Sequence, residues 1–273
     1  MSGAAAADTP TAGPTCWWCG APADSREHKF KKSELIFNSG GTRQWTGGAA
    51  MVHGSDAGLR DVQGPDSKIV KFSPTMCQNC NNARSQPFDV AYDKFVAYMS
   101  AHEATIATDR RFRFSDIYGV DWAVERVNLI KYWVKHVCCM AAENGMQIPP
   151  DLTAYLDNES AGSPPHIRFD FMVQADLLRL RLYEGMDYGS FIGPVSGWSH
   201  PEGGLHAIEG HVMWGWVMVT YTFDVEEPFG ATTFEGDLVQ MGWISQVSED
   251  YTLDSTDLMA SDLLAHYREQ KGI

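Results

Sequence analysis

Apolar residues recur at helical spacing in the middle of the chain and alternate with polar ones further on. Following Pro87, the residues Phe88, Ala91, Tyr92, Phe95 and Met99 fall on one face of a helix that proline can open. A second stripe over 121–145, made by Trp122, Val127, Ile130, Trp133, Val134 and Val137, predicts a longer helix closed by Gly145 and Pro149-Pro150. The run Gly162-Ser163-Pro164-Pro165 breaks that pattern. Beyond it, Ile167-Arg168-Phe169-Asp170-Phe171 alternates as a half-buried strand does, and 212–223 and 237–247 are rich in Val, Trp, Tyr and Ile. A terminal helix is expected over 256–270. The first third is less periodic: an extended segment through His28 turns into Ser33-Glu34-Leu35-Ile36-Phe37, a glycine-rich stretch over 38–65 reads as a long loop or irregular hairpin, and 68–72 reads as a strand. The pattern predicts an α+β protein: a small N-terminal module to about residue 100, then helices, then a mainly antiparallel sheet, with a boundary near Gly162.

Composition adds limits. A chain of 273 residues can bury a large core, and no run approaches the roughly 18 apolar residues of a membrane span. Residues 1–15 are small and polar, without the basic start and apolar stretch of a signal peptide, so a disordered tail and a cytoplasmic protein are expected. The net charge of −14 is unevenly spread. Residues 1–100 hold ten basic against nine acidic side chains, and 101–273 hold eleven against twenty-six. A phosphate backbone would be tolerated by the first part and repelled by the second.

The candidate chemistry lies in that first part. Cys16-Trp17-Trp18-Cys19 and Cys77-Gln78-Asn79-Cys80 have the spacing that lets two knuckles share one tetrahedral zinc. Such a site, closed by four thiolates, leaves no position for a reacting water, so its zinc is structural. Cys138-Cys139, in the long helix, read as buried thiols. Between the knuckles lies Glu27-His28, and Asn81-Asn82 follow the last cysteine.

The residues Cys16, Cys19, Gly20, Glu27, His28, Cys77, Cys80, Asn81 and Arg84, in this order, resemble the zinc-stabilised form of the HNH endonuclease family over about 16–100. The resemblance implies a ββα-metal module with an accessory, acidic α+β region over 101–273. It implies divalent-metal-dependent hydrolysis of DNA phosphodiesters: His28 as general base, Glu27 and Asn81 as ligands of a catalytic Mg²⁺ or Mn²⁺, and Arg84 on a phosphate. Lys29, Lys31, Lys32 and Arg84 would form the DNA-binding face. Two features depart from the family pattern. No Asn occurs in Lys71-Phe72-Ser73-Pro74-Thr75-Met76, where the family has its middle Asn, and 48 residues separate His28 from Cys77.

Plainer readings stand beside these. Glu27-His28 can be an inert surface pair, Asn81 a helix cap, and the lysines a solvated face, which leaves a non-catalytic zinc ribbon that binds nucleic acid or protein. His200, His206 and His211 show no metal spacing in a segment whose glycines make it loop-like, and Trp214-Gly215-Trp216 reads as core. The acidic C-terminal region is a solvated surface, a face for a protein partner or self-association, or a restraint on indiscriminate DNA binding.

Overall fold

A computed structural model describes residues 13–38, 43–45, 51–55, 58–158, 162–175, 178, 190–192, 196–199, 204–226 and 234–244. Residues 1–12 of the tail expected over 1–15 and the terminal helix expected over 256–270 lie outside the described residues; the last residues of that tail are ordered, since Pro14 O accepts from Ala23 N at 2.9 Å and Thr15 bridges Pro22. The protein is a mixed α+β structure in which the four cysteines of the two knuckles come together.

The first knuckle leads into an extended segment over 25–29 that runs antiparallel to residues 70–76. Ser25 N donates to Met76 O at 3.0 Å, Phe72 N to Glu27 O at 2.9 Å, and Lys29 N to Val70 O at 2.8 Å. Between these segments lie α1 (Lys32–Asn38) and the hairpin of β1 (Val52–Ser55) and β2 (Gly58–Asp61). The expected strand over 68–72 begins instead as a 3-10 turn, Lys68–Val70, because the Ser67 hydroxyl accepts from Ile69 N and closes the backbone locally. Extended structure starts at Lys71.

The second knuckle winds into a single π turn, Cys80–Arg84, and then into α2 (Gln86–Ala101), with Pro87 in its first turn. After α3 (Glu103–Asp109), β3 (Arg111–Arg113) and α4 (Phe114–Tyr118) comes α5 (Trp122–Glu143), followed by α6 (Pro150–Asp157). Every residue of α5 from Leu129 to Ala141 is buried, including Lys131, Lys135 and His136. A helix covered all round is a central element rather than a surface one.

One side of α5 meets a sheet formed by β4 (Ile167–Gln174), β5 (Ser190–Ile192), β6 (Ser196–Ser199), β7 (Leu205–Trp214), β8 (Val217–Asp224) and β10 (Gly242–Ile244). Its order is β10-β4-β8-β7-β5, with β6 also on β7; β10 runs parallel to β4, and the other pairs are antiparallel. The short β9 (Leu238–Gln240) pairs with β3. The alternation in β4 buries Ile167, Phe169, Phe171 and Val173, and Trp133 of α5 lies against Phe169 and Phe171 with centroids 6.3 and 5.2 Å away. The other side of α5 meets the cysteine-bearing region, where Cys139 Sγ lies 3.3 Å from Met76 Sδ. One cluster of buried residues runs from Cys16 to Met241, so packing is continuous across residues 100 and 162.

The segment that glycines made loop-like is strand β7. Gly210 faces Tyr221 of β8, and a Cβ there would lie 2.6 Å from the tyrosine hydroxyl. The glycine makes room for a buried ring within a strand. Trp216 is core, as its pattern predicts.

Candidate functional site

The four thiols fit zinc. Their sulfurs lie within 4.8 Å of one another, and Cys19 and Cys77 are 3.6 Å apart. Zn–S bonds of about 2.3 Å place tetrahedral sulfurs roughly 3.8 Å apart. Cys16, Cys77 and Cys80 are buried and Cys19 is exposed, so the site sits at the edge of the core. The Cys80 amide, 3.4 Å from Cys77 Sγ, pulls the Cys77 thiol down to about 7, while burial pushes the Cys80 thiol up. A cation would hold all four as thiolates.

Arg84 braces this centre from outside. Its guanidinium lies over the Trp18 ring at 4.4 Å, donates to Cys80 Sγ at 3.5 Å and pairs with Asp157. Trp18 Nε1 donates to the same Asp157 carboxylate at 3.2 Å. The arginine expected on a phosphate is thus stacked, bonded to a zinc-site sulfur and ion-paired.

The Glu27-His28 step divides its two side chains. Neighbouring residues of an extended segment point to opposite sides. Glu27 enters the interior, where its carboxylate lies 3.0 Å from Lys135 Nζ of α5. His28 turns toward the loop before the 3-10 turn, with Nε2 3.1 Å from Pro65 O. Gly64 fixes the approach of that loop, because a Cβ there would lie 2.6 Å from Arg43 O. Burial and then the Lys71 ammonium hold His28 below the ordinary histidine value. Asn81 donates from Nδ2 to Ser25 Oγ at 2.8 Å, and its buried Oδ1 has no hydrogen-bond partner among the described residues. Asn82 donates back to Gln78 O at 2.8 Å. Asn81 therefore ties the second knuckle to the extended segment and makes no helix cap.

Glu27 and Asn81 do not make a ready cage for Mg²⁺ or Mn²⁺. Lys135 holds the carboxylate, and the four cysteines are the only cluster of three or more His, Cys, Asp or Glu ligands among the described residues. Burial alone would lower the Lys135 ammonium, but the Glu27 and Asp89 carboxylates outweigh it and hold it above its ordinary value. The basic side chains expected on DNA have acidic partners: Lys29 with Glu143 at 3.3 Å, Lys31 with Asp93 at 2.9 Å, and Lys32 with Asp66 at 2.6 Å. Of these partners only Glu143 comes from the acidic part of the chain, whereas Asp93 and Asp66 lie within the first hundred residues.

Two polar residues of α5 at this site are absent from the apolar stripe. Lys135 meets Glu27, and His136 lies 2.8 Å from Lys29 O through Nε2. Their signal is that they sit among buried positions of a helix apolar on nearly every side. His206 and His211 both lie on β7, whose pairing with β6 shifts register at His206; His200 lies outside the described residues. Among the described residues no helix is long and apolar enough to cross a membrane. No protein-family model matches the chain, and no curated protein or solved structure matches it either.

Proposed function

We propose that the chain is a zinc-braced endonuclease that hydrolyses DNA phosphodiester bonds with His28 as its general base. The observation that carries this reading is the state of the His28 ring. The Pro65 carbonyl only accepts, so Nε2 bears the proton and Nδ1 keeps its lone pair. Burial and Lys71 keep the ring neutral at pH 7, the form that can take a proton from water. The order of parts adds support: two antiparallel extended segments, then a helix, with four cysteines at the end they share. Mg²⁺ or Mn²⁺ enters through the resemblance alone, and no step is assigned to it.

The test is nicking of supercoiled plasmid by the zinc-loaded full chain in Mg²⁺ or Mn²⁺. His28→Ala should keep fold and zinc and lose about two or more orders of magnitude in rate, the usual scale for a positioned base. A wild type that does not cut, or a His28→Ala protein that cuts equally well, removes the reading. One observation favours a second reading, a zinc ribbon that binds nucleic acid or protein without hydrolysis: Glu27 is buried against Lys135 rather than free for a cation. Salt-sensitive DNA binding without cleavage would select it.

A further inference from the structure

Lys135 lies where α5 passes beneath the Glu27-His28 segment, and its side chain is 1% exposed. Three oxygens surround its ammonium, one from the extended segment and two from the N-cap and first turn of α2: Glu27 Oε1 at 3.0 Å, Ser85 Oγ at 3.2 Å and Asp89 Oδ1 at 3.4 Å. The Tyr132 ring covers another side, with its centroid 5.7 Å from Nζ. Asp89 also lines an open concavity of about 440 Å³ together with Asn82, Ala83 and Gln86, so one wall of the cluster reaches solvent. Two carboxylates and a hydroxyl converging on a buried point define a cation position, and here the cation is part of the chain.

We infer that the Lys135 ammonium takes the place of a divalent cation at Glu27, so that the wild-type chain binds no Mg²⁺ or Mn²⁺ there. A divalent ion could reach the carboxylate only by displacing a buried, ion-paired ammonium, or by lying beside it at the cost of like-charge repulsion. Without the ammonium, the same oxygens are hard ligands suited to Mn²⁺, and the concavity at Asp89 offers an entry path. The inference stands whether or not the chain cuts DNA, because its test uses no substrate.

The test is a Mn²⁺ titration of the zinc-loaded full chain, followed by the electron paramagnetic resonance signal of free Mn²⁺. Glu27→Gln should leave the Mn²⁺ affinity of the wild type unchanged within about twofold. Lys135→Met should gain Mn²⁺ binding at least tenfold tighter than wild type, and Lys135→Met/Glu27→Gln should lose that gain. Circular dichroism first establishes that Lys135→Met folds; if it does not, wild type against Glu27→Gln decides alone. A wild type whose Mn²⁺ binding falls tenfold or more in Glu27→Gln overturns the inference. So does a folded Lys135→Met protein with no gain.

Discussion

Glu34 and His136 are buried titratable residues that pull stability in opposite directions over overlapping pH ranges. Burial raises the Glu34 carboxyl to about 7 from 4.5, while the hydrogen bond from Tyr92 OH at 2.9 Å and the Lys31 charge work against that rise and Asp93 adds to it. Its folded value exceeds its unfolded one, so its contribution is complete below pH 4.5 and is lost as pH rises through 7. Burial lowers His136 to about 4 from 6.5, so its contribution is complete above pH 6.5 and is lost as pH falls through 4. Glu34→Gln removes the first effect and leaves the second. The variant should exceed wild type in stability at pH 8 by on the order of 1–3 kcal/mol, converge with it near pH 4.5, and fall more steeply on acidification. Urea unfolding from pH 4.5 to 8 measures this; a difference independent of pH would show that Glu34 does not titrate in that range. Neither role is legible in the sequence, where Glu34 lies in the turn after the extended segment and His136 lies beside a stripe. Each is set by burial against residues far along the chain. The cysteine spacing, by contrast, is a local signal, and the structure gathers those four side chains.

Helix α5 holds the middle of the structure together. Trp133 packs edge-on to Tyr92 and Phe95 of α2 on one flank and meets Phe171 and Phe234 on the other. Trp133→Ala should cost about 3–5 kcal/mol, the range for truncating a buried aromatic. Val124, 60% exposed on the same helix, should change stability by no more than about 0.5 kcal/mol when replaced by Ala. Denaturant unfolding of the two variants provides the check, and a small loss at Trp133 would mean that α2 and the sheet do not depend on it. Periodicity places α2 and α5 within a residue or two of where they lie, because one apolar face suffices to show a helix. It does not reveal that α5 is buried all round from Leu129 to Ala141, since the remaining faces there carry Lys131, Lys135 and His136, whose partners are a backbone carbonyl at Asn158, the Glu27 and Asp89 carboxylates, and the Lys29 carbonyl. Strand β7 is hidden for a related reason, as Gly210 answers to Tyr221 on its neighbour.

At the scale of the whole molecule, the four-cysteine site is joined to the rest through its own ligands. Cys16, Cys77 and Cys80 belong to the same buried cluster as Met76, Cys139, Phe171, Val239 and Met241. Loss of the metal would leave four unbridged thiols within 4.8 Å of one another beside that cluster, and Arg84 would lose a metal-bound sulfur as partner. Because metal binding to such sites is coupled to folding, removing zinc should lower the stability of the entire core rather than melt residues 16–100 alone. A chelator strong enough to strip zinc, or Cys77→Ser, should therefore lower the melting temperature of one cooperative transition. Near-ultraviolet signals from Trp17 and Trp18 at the knuckle and from Trp216 at the sheet should be lost together. Two separate transitions, with the Trp216 signal surviving chelation, would show that the cysteine-bearing region folds as a unit of its own. Unchanged stability in Cys77→Ser, or no zinc in protein purified without chelator, would show that the four thiols do not hold a structural metal.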